Sequence, residues 1–62
     1  MANKNTYEFL IHFGVNGGQQ FDEVDAYTGA MAQTVMESRY PNAELVTIRN
    51  VTYNTDDKVS NI

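Results

Sequence analysis

Between Thr6 and Val15 the chain alternates without a break: Tyr7, Phe9, Ile11, Phe13 and Val15 fall on one side, Glu8, Leu10, His12 and Gly14 on the other. A period of two with aromatic and β-branched residues on one side is the pattern of a strand with one buried face. Asn16-Gly17-Gly18 follows, and Asn-Gly is the favoured pair for a type I′ turn because both positions take positive φ. A hairpin is predicted, returning through a second strand over Gln19–Tyr27. Phe21 and Val24 are out of phase in that strand, which a bulge or a loop wider than two residues would reconcile.

Thr28 is placed to cap a helix, its hydroxyl accepting from a backbone N–H that the first turn leaves without a partner. Ala32, Val35, Met36 and Arg39 recur at helical spacing, flanked by Met31 and Tyr40, and Gln33, Thr34, Glu37 and Ser38 are expected to face solvent. Pro41 stops the helix by forcing the residue before it out of helical geometry. A third strand is predicted over Glu44–Tyr53, with Val46 and Ile48 on one side and Leu45, Thr47, Arg49, Val51 and Tyr53 on the other.

The order strand–strand–helix–strand has one favoured assembly. The helix returns the chain across the sheet, so the third strand runs parallel to the second and pairs antiparallel with the first. The expected fold is α+β: a three-stranded sheet in the order 2-1-3 with one helix on one face. Residues 6–53 form this single ββαβ domain, residues 1–5 are expected to be disordered, and 54–62 to be a flexible polar tail. The sheet's second face is left open, carrying Leu10 and His12.

Sixty-two residues bury a smaller fraction of their surface than a larger domain does, so stability is marginal. The chain has no cysteine and one histidine, which removes disulfides, thiolate zinc sites and imidazole pairs. No cofactor or metal is expected. Unaided packing or a partner chain, homodimerisation included, must supply the stability. Eight carboxylates against four Lys and Arg give a net charge of −4, and the cations Lys4, Arg39, Arg49 and Lys58 are scattered. A phosphate binder needs a basic face, so direct binding to nucleic acid or to an anionic membrane is disfavoured. A basic protein surface suits an acidic chain better. The amino terminus shows no apolar secretion segment and no run reaches transmembrane length, so a cytoplasmic location is expected, and the glycosylation pattern Asn50-Val51-Thr52 is read as incidental.

The catalytic inventory is thin. His12 would need a partner and a pocket to act as a base, and it is read as a sheet residue on the open face. Gly14, Gly17 and Gly18 lack the lysine and helix start of a phosphate loop. Asp22, Glu23 and Asp25 are the densest charge cluster, but they lack the glycine and glutamate of a calcium loop, and Asp22 should point away from the other two. They read either as a solvated edge strand or as an acidic strip, joined by Glu37, that docks on a basic partner. Arg49 reads either as half of a cross-sheet ion pair or as an interface anchor, a role in which arginine and tyrosine are enriched. Tyr53 lies on the same predicted side.

Ala26-Tyr27-Thr28, then Ala32, then Tyr40, with the hairpin before and the Val46-Thr47 strand after, resembles the small inhibitors of host RNA polymerase encoded by podophages. That resemblance implies the same ββαβ layout over most of Tyr7 to Tyr53. In that family a pair of arginines on the third strand and an acidic strip contact the polymerase jaw. Arg49 could stand for one of the pair, with Asn50 and Val51 where the second might fall, and the helix here is poorer in glutamate. The layout is also similar to the acidic DNA-mimic inhibitors of uracil-DNA glycosylase. The expectation is a non-enzymatic protein-binding module whose contacts come from Arg49, Asp22, Glu23, Asp25, Glu37 and Tyr53. Polymerase is the first candidate partner and the glycosylase the second, with a self-associating structural or virion subunit as the other class.

Overall fold

The computed structural model describes residues 3–54. Strands β1 (Asn5–His12), β2 (Gln19–Ala26) and β3 (Leu45–Thr52) form one sheet, and helix α1 (Gly29–Arg39) connects β2 to β3. The sheet order is β2-β1-β3, and both pairings are antiparallel, as the element order predicts. The central strand is the one with the most regular apolar alternation, because only a strand flanked on both sides has its inward face fully covered. Phe9 and Ile11 on β1 are 0% exposed, and with Tyr7, Ala26, Ala32 and Met36 they make the core. β1 begins at Asn5, inside the segment expected to be disordered, and of the expected tail only Asn54 is described.

Helix α1 starts where its cap predicts. The Thr28 hydroxyl accepts from the Met31 N–H at 3.1 Å, and the Tyr40 N–H donates to the Met36 carbonyl just ahead of Pro41. Its buried line is narrower than the predicted stripe: Ala32 and Met36 are buried, whereas Val35 and Arg39 are exposed. Residues four apart stack on one side of a helix, so a single i, i+4 pair is enough to face a sheet of three strands. Gln33 does not face open solvent. Its amide donates to the Val46 carbonyl at 2.7 Å and to Glu37 Oε2 at 3.0 Å.

The hairpin departs from expectation. His12 pairs with Gln19, leaving six residues in the loop, and Asn-Gly does not form a type I′ turn. The Gly17 N–H donates to the Gly14 carbonyl at 3.2 Å and the Phe13 N–H to the Gly18 carbonyl at 2.9 Å. Positive φ falls on Gly14 (102°) and Gly18 (76°) and on no non-glycine among the described residues, so Asn16 is not in the conformation a type I′ turn requires. Gly14 ends the alternation early, which leaves Val15 95% exposed rather than in line with Phe13. The wider loop also settles the phase of β2. The β1–β2 register runs without a bulge, putting Asp22, Val24 and Ala26 on the helix side and Phe21, Glu23 and Asp25 on the open side.

A Cβ on Gly17 would lie 2.5 Å from Phe13 Cβ and 2.7 Å from the Phe13 carbonyl oxygen. Backbone cannot yield as a side-chain tip does, so Gly17→Ala is expected to destabilise by about 1–3 kcal/mol, as overpacking generally does. A urea titration followed by circular dichroism reads this directly. An unchanged midpoint would mean that the loop is not packed on Phe13.

Candidate protein-docking face

The open side of the sheet holds Glu8 and Leu10 from β1, Phe21, Glu23 and Asp25 from β2, and Thr47, Arg49 and Asn50 from β3. Its geometry turns on one irregularity. Phe9 pairs with Ile48 and Glu8 with Asn50, so Arg49 is an extra residue, a bulge between two otherwise regular stretches. A bulge reverses the phase of everything beyond it. Val51 therefore pairs with Tyr7 and packs on the core, instead of sharing a face with Leu45, Thr47 and Arg49 as simple alternation predicts.

Arg49 reaches across β1. Its guanidinium carbon lies 4.4 Å from the Phe21 ring centroid, and Nη1 lies 3.4 Å from Glu8 Oε2. The ion pair is half-exposed and adds little stability by itself. What it does is hold the guanidinium flat on the sheet between an aromatic face and a carboxylate. Glu8 and Glu23 are directly opposed across β1–β2, a like-charge pairing that is destabilising unless a cation is near. An open hollow of about 240 Å³ beside Phe21 is lined by Glu8, Phe21, Asp22 and Glu23. Among the described residues this face therefore combines one arginine, one exposed phenylalanine and three carboxylates.

The sequence-predicted contact residues divide. Arg49 and Glu23 share the open face, as does Asp25, whose Oδ1 accepts from the Thr6 hydroxyl at 2.7 Å. Asp22 is on the other side, in a clasp that fastens the end of α1 to β2. Its Oδ2 accepts from the Tyr40 phenol at 2.6 Å and from Arg39 Nη1 at 3.2 Å, and its Oδ1 from the Glu23 N–H at 2.8 Å. Glu37 is tied to Gln33 on the β3 flank of the helix, so it does not extend the acidic row of β2. Tyr53 lies beyond the end of β3, 70% exposed, and does not join the Arg49 group.

His12 is half-buried at the end of β1, and its Nδ1 has no hydrogen-bond partner. Among the described residues no group of three or more His, Cys, Asp or Glu is placed to hold a metal ion, and no helix is long and apolar enough to cross a membrane. The cross-sheet ion pair expected of Arg49 forms with Glu8, while Phe21 as its second partner was not anticipated. A signal was present: Val46 and Ile48 are two apart but Ile48 and Val51 are three apart, the spacing of a one-residue phase slip.

The Tyr40 hydrogen bond, with the Glu23 N–H and Arg39, holds the Asp22 carboxyl below its usual value of 3.8, against the opposing effect of burial. A carboxyl whose folded pKa is depressed stabilises the fold above its unfolded pKa and loses that contribution as pH falls through the folded one. Stability should therefore decline below about pH 4, and Asp22→Asn should flatten that decline while lowering stability at pH 7. Urea midpoints at several pH values test this. A variant with the wild-type slope would show that other carboxylates carry the acid sensitivity.

Compared with protein-family models, curated proteins and solved structures, the chain matches none.

Proposed function

We propose that this chain is a non-enzymatic protein-binding module, phage-encoded, that inhibits a host enzyme of nucleic-acid metabolism, with RNA polymerase as its target. The observation that carries this reading is Arg49, an extra residue of β3 held on an open acidic face by Phe21 and Glu8. Bulges cluster where a strand re-aims a functional side chain. Arginine and aromatic residues are the common anchors of protein interfaces, and surrounding carboxylates steer the chain toward a basic surface. The resemblance to podophage polymerase inhibitors supplies the candidate target. A second reading, a DNA-mimic inhibitor of uracil-DNA glycosylase, draws support from Glu8, Glu23 and Asp25 on the same face.

The test is direct binding to purified bacterial RNA polymerase, paired with a transcription assay, with uracil-DNA glycosylase tested in parallel. Binding and inhibition that Arg49→Glu abolishes support the polymerase reading. Inhibition of the glycosylase alone moves the target, and no effect on either overturns both.

A further inference from the structure

A three-stranded sheet leaves two edges, here β2 and β3, and each edge strand presents backbone N–H and C=O groups that another strand could pair. In this chain helix α1 sends one side chain to each edge. The Gln33 amide donates to the Val46 carbonyl of β3 at 2.7 Å, and Arg39 Nη1 approaches the Glu23 carbonyl of β2 at 3.4 Å while bonding Asp22. We propose that Gln33 closes the β3 edge of the sheet to a second copy of the chain, which keeps it from extending the sheet by strand addition, while Arg39 adds a long contact at a β2 edge that its carboxylates already protect.

The two edges differ in how much they depend on these contacts. β2 carries three carboxylates, Asp22, Glu23 and Asp25, and strands of like charge repel when they pair edge to edge. On β3 the stretch from Leu45 to Ile48 is uncharged, and Leu45 is exposed. A second copy is the occupant that fits this stretch, because two such uncharged runs can pair antiparallel about a two-fold axis without bringing the carboxylates of β2 together. The bulge at Arg49 blunts the far half of β3, and Gln33 guards the near half. Glu37 positions the guard: it accepts the amide's other contact at 3.0 Å, so the Gln33 fork is held between two acceptors. Glu37 is thereby an organiser of the β3 edge rather than part of an acidic docking strip.

The test compares the wild-type chain with a Gln33→Met, Arg39→Met double variant, which keeps side-chain length and removes both donors. Molar mass by light scattering is followed from micromolar to millimolar concentration, with hydrogen exchange at the β3 amides and circular dichroism as the check on folding. The expected result is self-association at least tenfold tighter in the variant, with new protection confined to residues 45–48. Glu37→Ala, an exposed change that only frees Gln33, should shift association in the same direction and carries the test if the double variant does not fold. Folded variants with unchanged mass overturn the proposal. So does a wild-type chain whose β3 amides already gain protection with concentration.

Discussion

Phe9→Ala is expected to leave most of the chain unfolded at room temperature. Phe9 is at the middle of the central strand with no exposed surface, in a core of six buried residues among those described. Truncating a buried phenylalanine removes its transfer free energy and leaves a cavity, together about 3–5 kcal/mol. A domain of this size has a total stability of roughly the same amount. Relaxation into the space is only partial, since Ala32 is too short to reach it from α1 and the neighbours Tyr7 and Ile11 are held in the ladder. The contrast is Phe21→Ala, at a phenylalanine 55% exposed on the open face, where the loss should stay within about 1 kcal/mol. Urea unfolding of both variants measures the difference. Equal destabilisation would mean that the open face is covered in solution.

On the proposed function, deleting Arg49 is expected to weaken binding to RNA polymerase strongly while sparing the fold. With the extra residue gone, Ile48 and Val51 remain opposite Phe9 and Tyr7, and Asn50 alone opposes Glu8, so the β1–β3 ladder becomes continuous. Stability should change by less than about 1 kcal/mol, because the lost ion pair is exposed and a regular ladder replaces the bulge. Binding should fall by about 30-fold or more, the loss corresponding to an interface anchor of at least about 2 kcal/mol. Deleting Asn50 instead removes the same bulge but keeps an arginine opposite Glu8, and part of the affinity should survive. Calorimetric titration against RNA polymerase, with thermal unfolding of each free variant, separates the two effects. Full binding without Arg49 would remove the open face from the interface. A collapse of stability would make the bulge a structural necessity instead.

Part of this architecture is legible in the residues because it depends on local periodicity. The alternation of Tyr7, Phe9 and Ile11, the cap at Thr28 and the stop at Pro41 are properties of neighbouring residues, and they carry the element order. The strand order follows from that order and the crossover rule. Asn16-Gly17 signals a tight turn by composition, but the positive φ angles fall on Gly14 and Gly18, where the strand ends require them, and the wider loop is the one that the phase of Phe21 and Val24 calls for. In the acidic cluster alternation alone sets Asp22 opposite Glu23 and Asp25, but the clasp that Asp22 forms with Tyr40 and Arg39 comes only from the packing of the helix end on β2.

By itself, then, the sequence determined an acidic ββαβ domain with its most apolar strand at the centre, since burial of one face per strand admits few other arrangements. Tertiary structure alone decided which side chains share a surface. A one-residue slip between β1 and β3 set Arg49 over Phe21 and turned Val51 inward, and the reach of Gln33 and Arg39 to the sheet edges depends on where the helix came to rest. Those outcomes are fixed by register and by packing distance between segments far apart in the chain, quantities that no local pattern of residues contains.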